Sequence, residues 1–151
     1  MPRQKLYLKD VRKVVKRTVQ VVSVAQIIAA HRKSPLASLQ LIPTDRKYWV
    51  LPTETWQLVL DYSQVDRIKY LPERQDCDDF ARIIDGEIKR KLLINSSGLV
   101  VDWSGGHAYS VFGAMDDGKL SLVGAEPQSD QWAVSETGLA AYSMEMGFVL
   151  L

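Results

Sequence analysis

Apolar residues recur at helical spacing in the middle of the chain. Five of them lie three or four positions apart: Phe80, Ile83, Ile84, Ile88 and Leu92. This is the period of one helix face. The basic residues at 89–91 suit the negative end of a helix, and the polar stretch 95–98 would end it. The pattern therefore predicts a central helix that ends near residue 91.

A second helical pattern lies near the start of the chain. Its members follow four-three-four-three spacing: Val11, Val15, Thr18, Val22 and Ala25. Basic residues occupy the other positions, which favours an amphipathic helix. The many valines also permit a strand. Further on, prolines at 35, 43 and 52 indicate loops around a short strand at 48–51, and Thr53 suits the cap of a helix that carries Trp56.

Beyond residue 98 the pattern is that of strands. The predicted strands cover 99–103, 107–115, 120–126 and 148–151, and residues 127–130 break the third. The sequence Asp116-Asp117-Gly118-Lys119 is typical of a hairpin turn. With 151 residues and these elements, the chain is expected to form one α+β domain in which the central helix packs on an antiparallel sheet.

Charge divides the chain unevenly. Residues 1–33 hold nine basic residues and one acidic residue, whereas the rest holds ten basic and seventeen acidic residues. We therefore distinguish a basic N-terminal helical arm, 1–33, from a catalytic domain, 34–151. The arm either binds an anionic partner, such as nucleic acid, a membrane surface or a virion protein, or packs on the domain with a solvated basic face. The pattern predicts neither a signal peptide nor a membrane span.

The one cysteine excludes an internal disulfide and a cysteine-rich zinc site. Cys77 directly precedes the apolar pattern of the central helix, and Asp76 is a suitable N-cap residue. A helix N-terminus lowers the pKa of a thiol, which favours the nucleophilic thiolate. Downstream lie His107 and Glu126, so a nucleophile, a base and a carboxylate follow in order. The alternative is an inert buried cysteine, and the aspartates beside it would oppose thiolate formation.

The hairpin tests whether His107 and Glu126 can meet. If Asp116 pairs with Lys119, then Tyr109 faces Glu126 across the two strands. His107 and Glu126 then lie on one face as diagonal neighbours, about 7 Å apart at their backbones. A three-residue turn would place them on opposite faces. In a rival assignment, Gln128 orients His107 instead.

These residues resemble a known family. Asp76-Cys77-Asp78-Asp79-Phe80-Ala81, Gly106-His107-Ala108 and Glu126-Pro127-Gln128 are similar to motifs of papain-like cysteine proteases. The resemblance covers about residues 53–135 and includes bacterial transglutaminase-like cysteine peptidases and the C-terminal domain of the Marasmius oreades agglutinin. The transglutaminase-like group usually has Asp at the third position, so Glu126 favours the agglutinin branch.

The resemblance implies a papain-like, transglutaminase-like fold with Cys77 as nucleophile, His107 as base and Glu126 as orienting residue. The expected function is a cysteine hydrolase (thiol protease) that cleaves a peptide or isopeptide bond through a thioester, and acyl transfer to an amine shares this intermediate. No cofactor is required, although calcium is compatible with the carboxylates of Asp76, Asp78 and Asp79. The backbone N–H of Cys77 is one oxyanion donor, and the second is sought in Gln75 or Gln64.

The other class of function is a non-enzymatic papain-like scaffold whose basic arm binds nucleic acid or a virion or protein partner. Domains of this kind occur in phage and bacterial genomes. We therefore expect a phage or bacterial protein that is cytoplasmic or virion-associated. The oligomeric state and the substrate are not indicated by the sequence.

Overall fold

The computed structural model describes residues 6–135, 138–139 and 145–151. Four α-helices and nine strands are found in this part of the chain. The helices are α1 (Leu8–Thr18), α2 (Val24–Lys33), α3 (Thr53–Ser63) and α4 (Cys77–Leu92), with a 3-10 turn at Val65–Arg67. The strands are β1 (Gln20–Ser23), β2 (Gln40–Ile42), β3 (Lys47–Val50), β4 (Ser97–Asp102), β5 (His107–Asp116), β6 (Lys119–Glu126), β7 (Gln131–Ser135), β8 (Gly138–Leu139) and β9 (Gly147–Leu150).

Seven strands form one sheet in the order β2-β9-β4-β5-β6-β7-β8. Its neighbouring strands are antiparallel except β2 and β9, which are parallel, so the sheet is mixed rather than purely antiparallel as predicted. The parallel pair forms because β9 lies between β4 and the edge strand β2, which is distant from it in sequence. Such long-range pairing leaves no local signal in the sequence. The strands β1 and β3 form a separate antiparallel ribbon.

The predicted hairpin register is correct. Asp116 pairs with Lys119, and the pairing continues without a shift to Ser110 and Ala125. Asp117 and Gly118 both have positive φ, as a two-residue turn of this kind requires. Because strand side chains alternate between faces, this register fixes which residues at the open end of the hairpin share a face.

Helices cover both faces of the large sheet. On one face, α1, α3 and α4 enclose a core that includes Val11, Trp56, Ile84, Ile88 and Phe112. The Trp56 indole donates a hydrogen bond of 2.9 Å to the Gly113 carbonyl, which satisfies its only polar atom. On the other face, α2 covers a second core that includes Ile27, Tyr48, Tyr109, Val111 and Leu122. The apolar faces predicted for α3 and α4 are therefore confirmed.

The N-terminal region differs from its prediction. The helical pattern does not continue to Ala25, because α1 ends at Thr18 and β1 pairs with β3. The β-branched residues near Val22 favour this extended backbone. Val11 and Val15 are buried, and the Arg12 guanidinium donates to the Lys91 carbonyl. The helix α1 therefore packs on the domain, which was one of the two predicted alternatives. The boundary between 1–33 and 34–151 stays a prediction.

The start of α3 also differs in detail. Pro52 rather than Thr53 occupies the N-cap position. The Asp116 carboxylate accepts hydrogen bonds from both the backbone N–H and the hydroxyl of Thr53, at 2.9 and 2.5 Å. A carboxylate distant in sequence therefore caps this helix, which local spacing could not predict.

Candidate active site

Cys77 is the first residue of α4, as predicted. Asp76 is the N-cap residue and forms a capping box with Asp79, whose carboxylate accepts from the Asp76 N–H at 3.3 Å. The side of α4 that carries Ala81 packs on β4 and β5, and partly buried Cys77 lies against Ala81, Leu99 and Ala108. The helix thus presents the thiol to Ala108, the residue that follows His107 in β5.

The two influences predicted for the thiol pKa, the helix start and the neighbouring aspartates, act in opposite directions. Burial raises the pKa of Cys77, and the negative charges of Asp76 and Asp78 raise it further. The backbone N–H groups of Ala108 and Asp78 act in the opposite direction. The benefit of the helix N-terminus is therefore outweighed, and a thiolate at this position needs a proton acceptor.

His107 and Glu126 meet as the hairpin register predicts. His107 begins β5 and Glu126 ends β6, and Nε2 of the imidazole lies 2.7 Å from Oε1 of the carboxylate. Their side chains are 24% and 18% exposed, so solvent screens the pair only in part. A carboxylate only accepts hydrogen bonds, so this contact favours the tautomer of His107 that carries its proton on Nε2.

The hydrogen bond that His107 donates to Glu126 is the largest influence on the pKa of His107 and raises it. Burial opposes the rise, whereas the charges of Glu126 and Asp102 add to it. The imidazolium form of His107 is therefore favoured. This is the form that results when the ring accepts the thiol proton.

Cys77 and His107 line the same cleft, whose volume is about 460 Å³. Ala108, the residue after His107, also lines it and contributes the N–H that acts on Cys77. The remaining walls are formed by charged, apolar and glycine residues: Asp78, Arg82, Val101, Asp102, Trp103, Gly106 and Phe148. Trp103 is 59% exposed and meets Phe148 edge-on at 5.6 Å, so one wall is apolar and aromatic.

The three aspartates do not converge as a calcium site would require. Asp76 and Asp78 group with the Cys77 thiol within 4.8 Å, but the Asp79 carboxylate is used in the capping box. The pKa of Asp78 is raised, chiefly by its hydrogen bond with Asp76, and Arg82 lies 3.3 Å from Asp78. Calcium prefers six to eight oxygen ligands. Two carboxylates, a soft thiol and a nearby cation supply too few oxygen ligands for calcium. Nothing else in the described part of the structure tests calcium binding, which stays a prediction.

The three glutamines occupy different places. Gln64 is exposed at the end of α3, where its side-chain Oε1 accepts from the Arg67 guanidinium at 3.3 Å. Gln75 exchanges backbone hydrogen bonds with Leu71, and Gln128 lies in the turn after β6. None of the three is among the described residues that line the cleft. Their roles in the oxyanion hole or in orienting His107 stay predictions.

Sequence reasoning did not single out Asp102, although it is fully buried at the end of β4 and lines the cleft. The available signal was an acidic residue at the end of an apolar strand, directly before Trp-Ser-Gly-Gly. Arg82 and Trp103 were missed as well, because only the packing of α4 beside the loop after β4 brings them to one cleft.

Comparison with solved structures finds similar folds. One is a complex of PSL1a, a lectin of Polyporus squamosus, with E64, with a TM-score of 0.67 and 23% sequence identity over 87% of this chain. The folds are the same. Another is Polyporus squamosus lectin bound to a human-type influenza-binding epitope, with a TM-score of 0.65 and 23% identity over 87% of this chain. The chain spans 51% and 49% of the two lectin chains.

No family model and no curated protein matches the sequence. Within the described residues, no helix is both long and apolar enough to cross a bilayer.

Proposed function

We propose that the protein is a papain-like cysteine hydrolase that cleaves peptide or related amide bonds with Cys77, His107 and Glu126. The observation that carries the proposal is the 2.7 Å contact between His107 and Glu126 in a cleft that also contains the Cys77 thiol. The fold shared with PSL1a supports it, because E64 is an inhibitor of cysteine proteases. A peptide-like ligand is accordingly the substrate class we propose.

In this reaction His107 accepts the thiol proton on Nδ1 while the sulfur forms a bond to the substrate carbonyl carbon. Glu126 holds the Nε2–H and stabilises the resulting imidazolium. The backbone N–H of Cys77 stabilises the oxyanion. The imidazolium then protonates the leaving amine, which departs and leaves a thioester. Water, deprotonated by His107, attacks the thioester and releases the acid and the thiol.

The raised pKa of Cys77 favours one version of this mechanism. The resting thiol is neutral, and its proton moves as the carbonyl is attacked, so the enzyme does not rest as a preformed ion pair. The same observation favours the second candidate, a non-enzymatic scaffold, because a thiol beside carboxylates is a poor nucleophile. Acyl transfer to an amine would use the same thioester as hydrolysis.

The test is hydrolysis of quenched fluorescent protein and peptide substrates, with and without an added amine acceptor. We expect turnover by the wild type, none by Cys77→Ala or His107→Ala, and unchanged turnover by the control Glu54→Gln, which replaces an exposed carboxylate outside the cleft. Incorporation of the amine would assign acyl transfer. Equal, low rates for the wild type and Cys77→Ala would instead support the scaffold.

A further inference from the structure

Asp102 is a charged residue that the proposed mechanism does not use. It is fully buried, it ends β4, and it pairs with His107 across the β4–β5 register. A buried carboxylate is costly unless hydrogen bonds compensate it. The hydrogen-bond partners of the Asp102 carboxylate therefore indicate which part of the structure its charge stabilises.

The partners of Asp102 belong to the loop that leads to His107. Oδ1 accepts from the Ser104 hydroxyl at 2.5 Å and from the Gly105 N–H at 3.0 Å. The Ser104 oxygen in turn accepts from the backbone N–H groups of Glu145 and Met146, at 3.0 and 3.2 Å. One carboxylate thus fixes the loop 103–106 to β4 and, through Ser104, to the segment before β9.

The loop closes tightly around this carboxylate. A Cβ atom on Gly105 would lie 2.5 Å from Oδ2 of Asp102, so a side chain there would displace the carboxylate or the loop. Gly106 adopts φ +61°, a conformation that suits glycine, and leads directly into His107. The backbone that carries the imidazole is therefore shaped by contact with Asp102.

The charge of Asp102 also reaches the imidazole. Together with Glu126 it raises the pKa of His107. Burial, and then both carboxylates, raise the pKa of Tyr109, whose ring centroid is 6.0 Å from that of His107. The other titratable groups that line the cleft are Cys77, Asp78 and Arg82, all on α4. Two carboxylates thus act on His107 from β4 and β6, and that of Glu126 contacts the ring at 2.7 Å.

We propose that Asp102 is a positioning residue that fixes the loop 103–106, and so the direction of the His107 ring, and that its negative charge favours the imidazolium. The catalytic consequence rests on the proposed function. The effect on His107 can be measured without any substrate.

The test uses NMR titration of the imidazole rings. The chain has two histidines, so His107→Ala assigns the signals and His31, which is buried in α2, serves as an internal reference. Asp102→Asn retains an oxygen for Ser104 and Gly105 but removes the charge. We expect the pKa of His107 to fall, by less than in Glu126→Gln because Asp102 is the smaller influence, with that of His31 unchanged. The control Asp117→Asn, in the exposed turn at the other end of the hairpin, should change neither.

An unchanged His107 pKa in folded Asp102→Asn would overturn the proposal. If that variant does not fold, Asp102→Ser provides the same reading, because it also removes the charge and keeps an oxygen for the loop: a fall in the His107 pKa supports the proposal and no change overturns it. Ser104→Ala keeps the charge, so the His107 pKa should persist while the rate of Cys77 alkylation falls severalfold. A fall in pKa in Asp102→Asn together with an inactive wild type would refute the hydrolase but not the role of Asp102.

Discussion

Replacement of Glu126 by glutamine tests the electrostatic part of the site. Glu126→Gln keeps the shape of the side chain and an oxygen that can accept from Nε2 of His107, 2.7 Å away, but removes the negative charge. A hydrogen bond to a charged group contributes about 1.5–3 kcal/mol and a neutral one about 0.5–1.5 kcal/mol. The loss is therefore about 1–1.5 kcal/mol, which corresponds to a fall of about one unit in the pKa of His107.

The same loss predicts how stability depends on pH. The pKa of His107 is raised in the folded protein, so its contribution is fully present below the unfolded pKa, about 6.5, and is lost as pH rises through the folded pKa. Wild type should therefore exceed Glu126→Gln in free energy of unfolding by about 1 kcal/mol at about pH 6, and the difference should shrink towards about pH 9. Turnover at neutral pH should fall about tenfold.

Urea unfolding at several pH values, NMR titration of His107 and steady-state kinetics provide the three measurements. Glu54→Gln is the matched control, since it removes an exposed carboxylate elsewhere. An unchanged His107 pKa, or a stability difference that grows as pH rises, would refute the reasoning. Full turnover in Glu126→Gln with a large loss in Gln128→Ala would assign the orienting role to Gln128 instead.

Three further predictions concern the thiol, the acidic cluster and the basic helix. Cys77→Ala should abolish turnover and leave the melting temperature within a few degrees, because the side chain is only partly buried; residual wild-type turnover would contradict this. Calorimetry with millimolar calcium and activity assays with a chelator test the calcium prediction. Binding heat that Asp76→Asn abolishes would indicate a calcium site, for which the described side chains alone supply too few ligands. The double variant Lys13→Gln with Arg17→Gln should weaken salt-dependent binding to DNA or anionic vesicles. It should also lower the slope of log affinity against log salt by about two. Salt-independent binding, or none, would indicate that this exposed basic face is merely solvated.

Deletion of the basic helix would be a poor test of the same idea. Val11 and Val15 are buried in the core shared with α3 and α4, so removal of residues 1–17 would expose that core. Loss of large apolar contacts costs several kcal/mol, which is comparable to the stability of a domain. Substitutions on the exposed face avoid this difficulty.

Local patterns predicted much of the fold. The apolar spacing of α4, the Asp-Gly turn and the alternation in β5 and β6 each act over a few residues, and the register of one hairpin was enough to place His107 beside Glu126. The pattern at 11–25 was misleading because tertiary pairing of β1 with β3 overrode helical spacing.

Features that depend on distant residues were not predictable in this way. The capping of α3 by Asp116 joins residues far apart in sequence. The charge balance at Cys77 likewise depends on burial, on Ala108 and on how Asp76 and Asp78 orient, so spacing alone left open whether the helix start or the aspartates dominate the thiol pKa. The role of Asp102 depends on hydrogen bonds that form only when the following loop folds back on it.

Several predictions are not tested by the fold. They include the boundary between the basic arm and the domain, the bacterial or phage origin, and the cytoplasmic or virion-associated location. The shared fold with the lectin chains covers only about half of each, so the substrates and partners of this chain must be established on the chain itself.

The most direct test of the central claim is covalent labelling by E64, followed by intact mass measurement and peptide mapping. An activated thiol in a peptide-binding cleft predicts one adduct per chain, located on Cys77, formed quickly in the wild type, about tenfold more slowly in Glu126→Gln and scarcely in His107→Ala. Iodoacetamide labelling of the unfolded chain shows that the thiol is intact. A folded wild type that stays unlabelled by E64, or that reacts at the same rate as His107→Ala, would contradict the assignment of Cys77, His107 and Glu126 as one catalytic unit.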